Sequence, residues 1–171
     1  MKEHWITIVV VMVGSTALFA GCGSDEPEER VQMIELVDEA VEMLDDLEVL
    51  AGEHAATVAG ATDVAAVADA EDAYETETSM HAEHIHTITH DELGTCTDAS
   101  GAAVDIGHTE HYADTLHEAL EEHAAEMAAL TDLGELQAAE LDHQEEFTAL
   151  VGMLRDAFEE LDTTGCDCPM P

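Results

Sequence analysis

Between Pro27 and Pro169 the chain contains no proline, and across that interval apolar residues return every three or four positions. Such spacing permits long uninterrupted helices, each with one buried stripe, and gives strands almost no support. Four segments can be read. The first runs from about Arg30 to Ala59 with Ile34, Val37, Val41, Leu44, Ala51, Ala55 and Val58 on its stripe. The second runs from about Val64 to His90 with Val67, Ala70, Tyr74, His81, Ile85 and Ile88. The third begins near His108 and carries Tyr112, Leu116, Leu120, His123, Met127 and Leu130. The fourth follows Thr131-Asp132 and carries Leu133, Leu136, Glu140, His143, Phe147, Leu150, Leu154, Phe158 and Leu161. Gly60 and a Thr62-Asp63 cap divide the first pair, and Gly94, Gly101 and Gly107 punctuate the loop between the second and third.

Short turns make consecutive helices antiparallel. The expected fold is therefore all-α, an up-down-up-down antiparallel four-helix bundle over residues 30–163, with a Cys-containing tail at 164–171. That topology brings Cys96, in the long loop, to the same end as Cys166 and Cys168. A disulfide from Cys96 to Cys166 or Cys168 follows as an expectation, and it suits an exported protein.

Charge narrows the partners. The chain has 41 Asp and Glu against 3 Lys and Arg, a formal net charge of −38 over 171 residues. A body of that charge repels phosphate backbones, which excludes nucleic acid as a partner, and it attracts cations. Beyond residue 29 the only Lys or Arg are Arg30 and Arg155, and there is no Asn anywhere. This composition suggests adaptation to high salt, where counterions screen the self-repulsion, and it predicts expansion or unfolding in dilute buffer.

The N-terminus reads as an address. Lys2 precedes an apolar run from Ile6 to Val13, too short to span a bilayer well, which leads to Leu18-Phe19-Ala20-Gly21-Cys22. This stretch resembles a bacterial lipoprotein signal, with Ala20, Gly21 and Cys22 in the lipobox pattern and Phe19 where Leu is usual. The resemblance implies a signal peptide over 1–21, cleavage before Cys22, and lipidation of Cys22 as a membrane anchor. Residues 22–29 are then the lipidated Cys and a polar tether, of which 23–29 reach roughly 24 Å when extended. Gly23 replaces the Asp that favours inner-membrane retention in enteric lipoproteins. The expected location is the cell envelope, at the extracytoplasmic face of the outer rather than the inner membrane.

Polar residues interrupt the apolar stripes. Glu48 falls between Leu44 and Ala51, His81 one heptad after Tyr74, His123 one heptad after Leu116, and Glu140 and His143 between Leu136 and Phe147. Glu77, Glu126 and His54 lie at the stripe edges. Measured along the helices, most of these fall within about 10 Å of one level, with His81 lower. An unpaired buried carboxylate is costly, so such a set must be neutralised, mutually hydrogen-bonded, hydrated or bound to a metal. Glu48, Glu77, His81, His123, Glu126, Glu140 and His143 are therefore candidate ligands of a core site for zinc, copper, iron or nickel. A second candidate cluster, at the lower end, comprises His84, His86 and His90 with His108 and His111 at the start of the third helix.

The architecture weakly resembles ferritin-like di-metal bundles, in which two helices each give a Glu and two each give Glu-x-x-His. Glu140-Leu141-Asp142-His143 matches that motif, and Glu48 can stand for a single Glu. The second helix departs from it, with Glu77 and His81 four apart, and the third offers His123-x-x-Glu126 in reverse order. Hydrolase and phosphoryl-transfer signatures are absent, including His-Glu-x-x-His and a phosphate-binding loop. The leading expectation is a non-enzymatic, lipid-anchored bundle that binds transition-metal ions to buffer, scavenge or sense them. A metal-free structural or interaction lipoprotein, and a ferritin-like redox enzyme, remain as alternatives.

Overall fold

The computed structural model describes residues 30–161, 163 and 165–169. Residues 1–29, on which the expected signal, Cys22 and tether fall, lie outside the described residues. Four helices make up most of what is described: α1 (Met33–Gly60), α2 (Val64–Thr87), α3 (Gly107–Ala129) and α4 (Leu133–Glu159). Each packs on its neighbours in sequence, and α1 closes the ring against α4. Contacts between α1 and α2 run in opposite senses, since His54 meets Glu71 while the earlier Glu39 meets the later His84. The same holds for α1 and α4, where Gln137 reaches the Val58 carbonyl and Arg155 reaches Glu48.

The turns that reverse the chain are capped by aspartates. Asp63 accepts the Ala66 N–H at 3.0 Å, and Asp132 accepts those of Gly134 and Glu135 at 2.9 and 3.1 Å. Each cap satisfies amides that the first helical turn leaves without a partner. The long loop folds back on itself: Thr97 bridges Ala103, Asp98 gathers the amides of Ser100 and Ala102, and Gly101 takes φ 81°, a conformation that favours glycine.

Packing corrects the sequence reading of α1. The buried residues are Met33, Val37, Ala40, Leu44, Leu47, Ala51, His54 and Val58, a strict alternation of four and three, with Leu36 beside them. The predicted stripe shared Val37, Leu44, Ala51 and Val58 but added Ile34 and Glu48. Ile34 is 45% exposed, and Glu48 turns outward to Arg155, 2.8 Å away. Burying Leu47 in place of Glu48 gains apolar burial and avoids desolvating a carboxylate.

The ends also differ from expectation. Helix α2 stops at Thr87 and widens into a π-helical turn at Ile88–Glu92, then a 3-10 turn at Leu93–Thr95. Arg30–Gln32, read as the start of the first helix, is a strand (β1) paired antiparallel with Asp167–Pro169 (β2), Val31 opposite Cys168. A Cys96–Cys168 disulfide ties β2 to the long loop, and the Met33 N–H donates to the Cys166 carbonyl. This tie draws the tail across the bundle end, where the chain before Met33 can pair with it. Cys168 and Cys166 are both buried there.

The apolar interior falls into two parts. A large cluster fills the disulfide end and the middle of the bundle, and a small one of Val58, Val67, Met127 and Leu136 lies near the short turns. Each of the four small-cluster residues stands four positions from a polar residue on its own helix: His54, Glu71, His123 and Glu140. One polar layer thus divides the core.

Candidate metal centre

That layer takes one side chain from every helix. His54, His123 and Glu140 are buried, at 6, 7 and 4% exposure, and the Glu71 side chain is 18% exposed. Their positions follow from the alternation of fours and threes: 51, 54 and 58 on α1, 67, 71 and 74 on α2, 120, 123 and 127 on α3, and 136, 140 and 143 on α4. One ligand atom from each lies within 4.8 Å of those of the other three. Imidazole and carboxylate alternate around the ring. His54 Nε2 stands 3.1 Å from Glu71 Oε1 and 3.2 Å from Glu140 Oε2, and His123 Nε2 stands 3.1 Å from Glu71 Oε2 and 3.7 Å from Glu140 Oε2.

Proximity here is not the same as hydrogen bonding. His123 and Glu71 do share a hydrogen bond, but His54 Nε2, Glu71 Oε1 and Glu140 Oε2 are buried without one. They pair as ions at 3.1 and 3.2 Å instead. A four-coordinate ion with bonds of about 2.1 Å has tetrahedral ligand–ligand edges of about 3.4 Å; Glu140 Oε2 stands 3.2 and 3.7 Å from the two imidazole nitrogens, while Glu71 meets each imidazole through a different oxygen at 3.1 Å. Two nitrogens and two carboxylate oxygens form a donor set suited to zinc or iron, with copper and nickel also served by imidazole.

The electrostatics point the same way. Two carboxylates with neutral imidazoles would hold two uncompensated negative charges in the core, so some cation must share the layer. With protons alone, burial works against a charged His54, yet the carboxylates of Glu140 and Glu71 outweigh it and hold its pKa up at about 9. Burial likewise works against ionised Glu71, but His123 and His54 pull it down to about 2. Tyr74 stacks on the His54 ring at 4.2 Å and 9°, fixing its plane, while burial and the nearby carboxylates push its phenol well above the usual range. A divalent ion would replace those protons and neutralise the same two carboxylates.

Two cavities lead toward the layer. One of about 420 Å³ lies between α2 and α3 with Glu71 and His123 on its wall, and one of about 360 Å³ lies between α3 and α4 beside His123, Glu140 and His143.

Of the residues singled out for the core, His123 and Glu140 are in the layer. His143 and Glu126 are not: they pair with each other at 3.3 Å on its flank, His143 edge-on to the His123 ring at 4.8 Å. Glu48 belongs to Arg155, Glu77 is exposed, and His81 is half-buried in neither group of converging donors. The Glu-x-x-His motif therefore sends only its Glu inward, and among the described residues the layer forms one four-donor group, not the paired ligand sets of a di-metal bundle.

Glu71 was missed and His54 was placed only at an edge. The signal for Glu71 was its spacing, four after Val67 and three before Tyr74; Ala70 beside it offered an apolar choice. At the other end, His84 pairs with Glu39, His108 and His111 are exposed on α3, and only His86 and His90 converge, on Asp114. No family model matches the chain, and comparison with curated proteins and with solved structures returns no match. The site must be read from its own geometry.

Proposed function

We propose that this protein is a lipid-anchored, extracytoplasmic lipoprotein whose up-down-up-down bundle binds a divalent transition-metal ion through His54, Glu71, His123 and Glu140. Its role is to buffer, scavenge or sense that ion in the cell envelope. The reading rests above all on four His and Glu ligand atoms, one from each helix, gathered within 4.8 Å of one another in one buried layer, with His54, Glu71 and Glu140 joined by ion pairs that lack hydrogen-bond geometry. A purely structural layer would be expected to satisfy its members or replace them with apolar residues. The chain's formal charge of −38 attracts cations to it. The lipobox-like sequence supports a membrane anchor on Cys22, and the scarcity of Lys supports a salty environment.

Elemental analysis of protein purified in high salt without chelator is expected to give bound zinc, copper, iron or nickel. Glu140→Ala should lower that occupancy while helical content persists. The absence both of bound metal and of a thermal shift with any of the four ions would overturn the reading. Mass spectrometry of the membrane-extracted protein tests the anchor, with Cys22→Ser expected to release the chain from membranes.

One observation favours a second reading, a metal-free His–Glu network in a structural or interaction lipoprotein: the His123–Glu71 hydrogen bond is complete without a metal. Unchanged stability on chelation would favour it. Oxygen-dependent oxidation of added iron would instead favour a redox enzyme.

A further inference from the structure

Metal-ligating groups converge a second time, toward the disulfide end. His86 is near the C-terminus of α2 and His90 is in the π-helical turn that follows, so the four-residue spacing puts both on the face toward α3. Helix α3 supplies Asp114. His90 Nε2 lies 3.0 Å and His86 Nε2 3.5 Å from the same oxygen, Asp114 Oδ1, and the two rings stack at 4.2 Å. One donor atom from each of the three falls within 4.8 Å of the others. Glu110 Oε1 stands 3.9 Å from His90 Nδ1.

We propose that His86, His90 and Asp114 form a second site for a divalent transition metal, exposed and readily exchanged. Two imidazoles and one carboxylate on adjacent helices supply three ligands and leave the remaining positions to water or an incoming ligand. The imidazole-rich set favours zinc, copper or nickel over magnesium or calcium. The side chains are 46, 28 and 53% exposed, so no core layer needs to open for an ion to enter or leave. Glu71 and His86 are 15 positions apart on α2, about 22 Å along the axis, too far for the two sites to share an ion. The inference does not depend on the buried layer binding metal.

The test is zinc titration of the chelator-stripped full chain in high salt, followed by copper(II) electron paramagnetic resonance. The wild type should take up two equivalents, one tight and one weaker and faster to exchange. His86→Ala/His90→Ala should abolish the weaker equivalent, leave the tighter one, and remove the copper–nitrogen couplings of the exposed site. Asp114→Asn should weaken it at least tenfold with unchanged circular dichroism. If His54→Ala/Glu140→Ala still binds one equivalent that the His86/His90 change removes, the exposed site stands even where the buried one fails. Identical isotherms and spectra for the wild type and the His86/His90 variant would overturn it, since any uptake would then belong to the acidic surface at large.

Discussion

The buried layer and the exposed triad are built from the same two residue types, yet their surroundings give them different physics. In the layer, His54, Glu71, His123 and Glu140 have little access to water, so each charge must be met by another within the bundle. In the triad, water can solvate whatever the imidazoles and Asp114 leave unpaired. Burial turns a His–carboxylate contact into a requirement, whereas exposure leaves it optional. It follows that the layer should hold an ion tightly and exchange it slowly, while the triad should do the reverse.

Removing one histidine from each group gives the largest expected difference between them. His54→Ala leaves two carboxylates short of a partner and should destabilise the metal-free protein by about 3–5 kcal/mol. His90→Ala should cost only about 0–1 kcal/mol. Denaturant unfolding in high salt measures both, and equal losses would mean that burial does not separate the two groups. Replacing all four layer residues with Leu or Met should be neutral or stabilising by up to about 4 kcal/mol while abolishing tight metal uptake. A large destabilisation would make the layer structural.

Acidity separates the groups next. His54, with its folded pKa raised from 6.5 to about 9, contributes stability that is fully present below pH 6.5 and is lost as pH rises through 9. Glu71, lowered from 4.5 to about 2, contributes stability present above pH 4.5 and lost as pH falls through 2. The metal-free bundle should therefore draw most from this layer between about pH 4.5 and 6.5. Metal occupancy should follow the opposite trend across the His54 titration, rising with pH as the ion displaces protons. Unfolding midpoints at pH 5.5 and 9, with and without chelator, test both signs. The smallest expected effect is at the surface: Glu48→Ala breaks a partly exposed contact with Arg155 and should change stability by under about 1 kcal/mol, with tight metal uptake unaltered.

Half of the layer was legible because on α3 and α4 the spaced positions Leu116, His123 and Met127, and Leu136, Glu140 and Phe147, are the buried ones, whereas Leu141 beside Glu140 is 66% exposed. On α1 two stripes one residue apart share Val37, Leu44, Ala51 and Val58, so periodicity alone could not choose between Glu48 and Leu47 or between Ala55 and His54. Glu71 was hidden for a related reason, since Ala70 could occupy the same face. At the triad, Asp114 lies 24 residues from His90, and no local pattern links them.

From sequence alone came the helical class, the positions of the capped turns, the shared end of the cysteines, and the fact that His and Glu interrupt the apolar stripes. These depend on period, cap chemistry and proline placement, all local along the chain. Tertiary packing decided which of two near-equal faces of α1 turned inward, which acids met which imidazoles, and that Cys168 rather than Cys166 joined Cys96. A rotation of one helix by a single residue barely alters its own energy, but it exchanges a leucine for a carboxylate in a core built jointly by four chain segments.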